Sequence, residues 1–342
     1  MNPRKTLSLI LVAATAVAHG QIYTEAVGFV KMGNTNAGQP DGQGGTISAV
    51  PANTDVWLST PLENELVFTG TVDSGDTGTG VITVSGSPGW TNGEFASAAD
   101  PHIAIIGSGS EDGLRGVINS NDSNTLTVAI TTPGDLSSLT LGDTIRIRKA
   151  WTLSNFFADS DITIGCQVLT FDETATGVDH ASGPNESFVY FGAWFDGNSA
   201  PADNKILHPG EMFILRSPAA TPVTDLTVFG DVSLAKKRVN IQKDGAGDED
   251  MELAHSSALP TLVGDLSIPA GFGDLLLFAD NDATGVDKVS GVANSLIYFG
   301  QWFDGNSTPV DATFVIPPGT GFKLRRAAAS PAGPVEWTED AD

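Results

Sequence analysis

One long motif occurs twice in this chain. Residues 190–199, YFGAWFDGNS, return at 298–307 as YFGQWFDGNS, at an offset of 108. The segment TGVD at 176–179 returns at 284–287 with the same offset, and FxLR at 213–216 returns at 322–325 after one inserted residue. Repeats of this length arise when one structural unit is used twice. We therefore expect two related units in the second half of the chain.

The apolar segments of the chain are short and typical of strands. Segments such as 81–84 (VITV) and 125–130 (TLTVAI) are rich in β-branched residues and are bounded by Gly, Asp or Asn. Residues 144–148 (TIRIR) alternate apolar and basic side chains, which is the period of a half-buried strand. The pattern predicts an all-β protein, built of two related antiparallel units that resemble β-sandwiches or barrels.

The two repeat units differ in length. A weaker match relates the segments around Trp57 and Trp151 to two segments near 251–259 and 260–266, which lie close together in the second unit. About ninety residues separate the corresponding segments in the first unit. We therefore predict a small β module at 65–150, inserted into a first repeat made of 21–64 and 151–219. The second repeat is predicted at 220–342. An insertion at a surface loop costs little closure entropy.

The N-terminus has the pattern of an export signal. Arg4 and Lys5 precede a short apolar run at 7–18, and small residues follow at positions suited to cleavage. The run is shorter than the ~20 residues that span a bilayer, and no second apolar segment of that length follows. We predict a signal peptide at 1–20 and no transmembrane segment. The mature protein is expected to be exported to the medium or the cell surface, with the periplasm as an alternative.

The charge of the chain limits its partners. Forty-one acidic and 17 basic residues give a net charge of −24, which disfavours nucleic acids and anionic membranes. The composition is 40% hydrophobic, enough for a substantial core. Cys166 is the only cysteine, so the chain has no internal disulfide, and its apolar surroundings predict a buried position.

Several segments together resemble a known group of proteins. They are the apolar N-terminus, EAVGFV at 25–30, PANTD at 51–55, FTGTV at 68–72, the stretch from LGDT at 141–144 to Trp151, and the doubled aromatic motif. They are similar to an uncharacterised family of exported proteins from Verrucomicrobia-type bacteria that accompanies prepilin-like gene cassettes. The resemblance implies export and a surface or appendage context. It brings no catalytic residues.

The doubled aromatic motif is a candidate ligand site. Read as one strand, it places Tyr190 and Trp194 on one face, and Tyr298 and Trp302 on the same face of the second copy. If that face is exposed, the glycine between the rings leaves a flat platform for a sugar. The alternative is that the rings are buried in the core, where tryptophan commonly lies.

An acidic loop precedes the second TGVD motif. Asp280, Asp282 and Thr284 alternate as oxygen ligands do at the start of a calcium loop, and glycine follows at the sixth position. The twelfth position is Gly291, where an EF-hand requires glutamate. A weak Ca²⁺ site and a simple Asp/Asn-rich turn both remain open. No other cofactor is predicted.

The sequence lacks recognisable catalytic machinery. The five histidines are scattered without zinc-binding spacing, and no nucleophile-elbow motif occurs. We therefore expect a structural or adhesive protein that assembles with itself or with other surface proteins and performs no catalysis. The alternative is a carbohydrate-binding protein that holds extracellular polysaccharide on the repeated Tyr/Trp strands.

Overall fold

The computed structural model describes residues 27–40, 45–132, 134–172, 175–180, 186–233, 236–288 and 295–339. The predicted signal peptide lies outside these residues. Strands make up 40% of the chain and helix about 3%, and the sheets are antiparallel. The predicted all-β class is confirmed.

The described strands fall into three groups of sheets along the chain. It begins with β1 (Val27–Lys31) and β2 (Asp55–Leu58). The module follows with β3 (Leu66–Asp76), β4 (Val81–Val84), β5 (Ala96–Ser97), β6 (Asp100–Ile106), β7 (Arg115–Asn121), β8 (Thr125–Ile130), a 3-10 turn (Leu136–Ser138) and β9 (Thr144–Lys149). The chain then forms α1 (Leu153–Phe156), β10 (Gln167–Leu169), β11 (Ser187–Tyr190), β12 (Trp194–Asp196), β13 (Phe213–Arg216) and β14 (Thr227–Asp231).

The described residues of the second unit form the remaining nine strands. They are β15 (Lys237–Ile241), β16 (Glu249–Ala254), β17 (Thr261–Leu262), β18 (Leu275–Leu277), β19 (Ser295–Tyr298), β20 (Trp302–Phe303), β21 (Val315–Ile316), β22 (Gly321–Arg326) and β23 (Val335–Glu339).

The two repeat units have the same strand order. The first contains a five-stranded sheet, β12-β11-β10-β13-β2, and the second contains β20-β19-β18-β22-β16. Each unit adds a two-stranded ribbon, β1–β14 in the first and β15–β23 in the second, so β14 pairs with the first unit although it lies after residue 219. Corresponding strands therefore hold corresponding parts of the repeated sequence, and each unit has its own buried core.

The inserted module is a closed six-stranded barrel. Its strands run in the order β3-β4-β8-β7-β6-β9, and β9 pairs back to β3. A separate apolar core fills the barrel, with Val72, Leu126 and Ile145 fully buried. Closure leaves these six strands without a free sheet edge. The barrel begins and ends side by side, since Leu66 of β3 pairs with Arg148 of β9.

Buried ion pairs join the barrel to its neighbours. Arg148 at the end of the barrel contacts Glu63 at 2.7 Å and Asp231 of the first-unit ribbon at 2.8 Å. Arg238 of the second-unit ribbon contacts Glu111 of the barrel at 3.0 Å. A buried charge is tolerated only when such partners compensate it. Cys166 lies in the first-unit core as predicted, and burial raises the pKa of its thiol.

Candidate functional site

The aromatic motif forms a hairpin, and the expectation of one continuous strand is wrong. β11 ends at Tyr190 and β12 begins at Trp194, and these two residues are paired across the hairpin. Tyr298 and Trp302 are paired in the same way in the second unit. The glycine between them, Gly192 in the first unit, has φ of 92°, a conformation that suits glycine at a tight turn.

The two tryptophans of the predicted platform are buried. Trp194 is 2% exposed and Trp302 is 4% exposed, and each belongs to the core of its unit. Tyr190 and Tyr298 are partly buried, with ring centroids 5.3 and 5.1 Å from their tryptophan partners. Of the two arrangements considered for these rings, burial in the core is the one found, and they form no exposed platform. The hairpin turns this face inward because an antiparallel sheet buries its apolar face on its core.

The residues at the hairpin turns are exposed instead. Phe191 is 62% exposed and Phe299 is 45% exposed. A neighbouring loop places Ile164, 67% exposed, beside the first turn, and Phe272, 71% exposed, beside the second. The rings of Phe272 and Phe299 are 4.6 Å apart. We use the term apolar tips for Ile164 with Phe191 and for Phe272 with Phe299.

The same backbone contacts hold both tips. The N–H of Gly165 donates to the carbonyl of Tyr190, and the N–H of Gly273 donates to the carbonyl of Tyr298, both at 2.8 Å. Both glycines have φ of 92°. The tips were missed at the level of sequence, although Ile164-Gly165 and Phe272-Gly273 share the offset of 108. Extending the repeat upstream would have found them.

The repeated TGVD motif joins the two units. The N–H of Asp179, in the first unit, donates to Asp250 of the second at 2.8 Å. The N–H of Asp287, in the second unit, donates to Asp55 of the first at 2.7 Å. Both donors have φ above 50°, which turns the loop toward the opposite unit. We call this pair of contacts the reciprocal clasp.

An arginine completes each half of the reciprocal clasp. Arg216 binds Asp55 in a bidentate pair at 2.7 and 2.8 Å, and Arg325 binds Asp250 at 2.6 and 2.9 Å. Hydrogen bonds that the two guanidinium groups donate to these carboxylates raise the pKa of both arginines. Paired guanidinium and carboxylate groups form strong hydrogen bonds of defined geometry. The FxLR motif therefore supplies a structural arginine.

The predicted calcium loop is engaged by the protein itself. Asp280 accepts hydrogen bonds from the N–H groups of Asp282 and Ala283, and Asp282 accepts two from Thr35 at 2.6 Å. The ammonium group of Lys288 donates to the carbonyls of Asp280 and Ala283. The side chain of Thr284 is exposed.

A calcium site stays a prediction. Within the described ranges, no group of three or more His, Cys, Asp or Glu side chains is arranged to hold a metal. Calcium would need to displace the Lys288 ammonium from the loop carbonyls and then complete its shell with water.

Comparison with known proteins brings no assignment. No protein-family model, no curated protein and no solved structure matches this chain. None of the helices in the described part of the chain has the length and apolar character needed to cross a bilayer. Functional inference therefore depends on the geometry of the sites themselves.

Proposed function

We propose that this is an exported structural or adhesive protein whose copies associate through their apolar tips. The observation that carries the proposal is the duplication of an exposed apolar surface. Phe191 and Phe299 occupy equivalent hairpin turns, and each has an exposed apolar neighbour. Contiguous exposed apolar side chains are typical of protein interaction sites.

Duplication of the tips determines the kind of assembly. A chain with one self-complementary patch forms a closed dimer. A chain with two such patches can bind a neighbour at each, so the contacts continue from copy to copy. A second copy of this chain is the occupant that we propose, because a tip that pairs with its like requires no other protein.

Charge controls when copies associate. The chain carries a net charge of −24, so copies repel one another at low ionic strength. Salt shortens the screening distance to about 8 Å at 0.15 M. We therefore expect assembly in a salty or cation-rich medium and dispersal on dilution of the salt.

The exposed phenyl rings also favour a second candidate, a polysaccharide-binding protein. Phe272 and Phe299 present a pair of aromatic faces to solvent on the second unit. The first unit has Ile164 at the equivalent place, so the aromatic surface is not duplicated in full. The candidate predicts that binding depends on the second tip alone.

Light scattering after size exclusion tests the proposal on purified residues 21–342, without the predicted signal peptide, at 0.02 and 0.5 M NaCl. We expect wild type to form species larger than two chains at high salt. The double variant Phe272→Ser with Phe299→Ser, which removes one tip, should form dimers and no larger species. Adding Ile164→Ser and Phe191→Ser should give monomers.

The matched control is Leu141→Ser, which removes an exposed apolar side chain from the barrel. It should assemble as wild type does. A wild-type monomer at every salt and protein concentration would overturn the assembly proposal. Polysaccharide retention lost only on mutation of the second tip would establish the alternative.

A further inference from the structure

A cleft of about 640 Å³ lies where the two repeat units and the barrel meet. Thr131 and Thr132 of the barrel line one side, residues 205–213 of the first unit line another, and β16 of the second unit supplies a wall. The volume falls within the range of small-molecule sites, which often occur between domains. This cleft is separate from the apolar tips.

A buried polar cluster lies on the β16 side. The Nδ1 atom of His180 is 3.4 Å from Glu252 Oε2, and the ammonium of Lys323 is 3.5 Å from Glu252 Oε1. The His180 and Glu252 side chains are 6% and 5% exposed, and both residues line the cleft. The Lys323 ammonium also lies 5.8 Å from the ring centroid of Trp57 and 5.5 Å from that of Phe171.

Two atoms of this cluster lack hydrogen-bond partners. His180 Nε2 and Glu252 Oε1 are buried, and neither forms a hydrogen bond with any described residue. Buried polar atoms are normally paired, and an exception requires an explanation such as a bound water or ligand. In the neutral tautomer whose Nδ1–H faces Glu252, His180 Nε2 is an acceptor. Both atoms are then acceptors without a hydrogen bond, although the Lys323 ammonium balances the charge of Glu252 at 3.5 Å.

The repeat shows that the cluster is not needed for folding. Aligning Asp55 with Asp250 places Trp57 at the position of Glu252. Aligning Arg216 with Arg325 places Ile214 at the position of Lys323, and aligning the TGVD motifs places Lys288 at the position of His180. The equivalent half of the clasp, where the second-unit TGVD loop meets the first-unit sheet, thus forms with Trp57, Ile214 and Lys288 in place of these three side chains.

The lining of the cleft indicates the charge of the ligand. Lys205 and Arg238 are the cationic residues among the described lining residues. Six carboxylate residues line it as well: Asp172, Glu186, Glu211, Glu249, Asp250 and Glu252. An acidic cleft in an acidic protein repels anions and raises the local concentration of cations.

We infer that the cleft binds a small organic cation with a primary amine, whose N–H groups donate to His180 Nε2 and Glu252 Oε1. The ring of Phe171 and the side chain of Met251, both on the lining, would contact the apolar part of the ligand. Neither the amine nor the cleft plays a part in the proposed assembly through the tips.

Calorimetry of the purified chain at 0.15 M NaCl tests the inference with three probes of equal length: 1,5-diaminopentane, 1,5-pentanediol and glutarate. We expect saturable 1:1 binding of the diamine, at least tenfold weaker binding of the diol and no binding of glutarate. Equal binding of diol and diamine, or unsaturable binding of the diamine, would overturn the inference.

Variants locate the site. Glu252→Gln and His180→Phe should each weaken diamine binding at least tenfold. Asp73→Asn removes an exposed carboxylate from the barrel and should leave binding unchanged, which separates the cleft from the general surface charge. Unchanged binding in both cleft variants would contradict the assignment. If either variant folds poorly, NMR of the wild-type histidine rings replaces it, and the His180 signals must shift on addition of diamine.

Discussion

Arg216 Nη2 lies 2.5 Å from Asp287 Oδ1, although the two residues belong to different repeat units. Arg325 has the same relation to Asp179, at 3.0 Å. The TGVD loop of each unit therefore contacts the arginine of the other unit. The two units therefore share these reciprocal loop-to-arginine contacts as well as their strand order. Mutation of the contact residues tests how much the contacts contribute.

Removing one arginine should weaken the whole chain. Arg216→Met leaves the buried carboxylate of Asp55 without its bidentate partner, and such losses cost about 3 kcal/mol. Asp287→Asn alters a mostly exposed group and should cost less than about 1 kcal/mol. Urea unfolding of both variants measures the difference. Equal small losses would show that the clasp adds little to stability.

Acid should weaken the other half of the clasp. Burial alone would raise the pKa of Asp250, but hydrogen bonds from Arg325 and from the N–H of Asp179 outweigh burial and lower it. The folded-state pKa then lies below the unfolded value of about 3.9, so this contribution is present above pH 4 and is lost as pH falls further. Urea unfolding between pH 5 and 2.5 should show the loss, and Asp250→Asn should flatten that part of the profile.

The hairpin residues should separate into two classes. Trp194→Ala removes a buried ring that packs 5.4 Å from Phe157 and should cost about 3–5 kcal/mol. Phe191→Ala removes an exposed ring at the turn of the same hairpin and should change stability by less than about 0.5 kcal/mol. Thermal unfolding of dilute protein at low salt measures both without assembly. A large loss for Phe191→Ala would mean that the tip supports the fold.

Lys288 should compete with calcium. Its ammonium donates to two carbonyls of the Asp280 loop, so Lys288→Gln should strengthen calcium binding there. Thermal shift with CaCl₂ measures this, and MgCl₂ serves as the control because magnesium requires a tighter octahedral shell. Asp280→Asn in the Lys288→Gln background should abolish the effect. If CaCl₂ changes the melting temperature of wild type and Lys288→Gln equally, calcium does not bind at this loop.

Local pattern predicted most of the fold. Short β-branched segments mark strands, and the repeated motif corresponds to two sheets of identical order. The hairpin was missed because Tyr190 and Trp194 lie on the same face of the sheet in two different arrangements. They do so four residues apart on one continuous strand, and they do so as a cross-strand pair in a hairpin. Period-2 alternation cannot distinguish these two arrangements. Gly192 was the residue that could have indicated the turn, because glycine readily adopts the positive φ found there.

The sites were less accessible to sequence reasoning. His180, Glu252 and Lys323 lie about 70 residues apart from one to the next and come together only in the folded chain. No local sequence motif could therefore predict the cluster. The TGVD repeat was visible, but its exchange between units depends on where the second unit lies. Burial of Trp194 and Trp302 likewise follows from which face of the sheet meets the core.

The reciprocal clasp also sets how the protein responds to dilution. In a chain with one unit, the arginine could bind only the TGVD loop of a second molecule. That intermolecular contact would dissociate at low protein concentration. Here the two loops are tethered, so each faces its arginine at an effective concentration in the millimolar range. The two halves of the chain therefore stay together at any protein concentration.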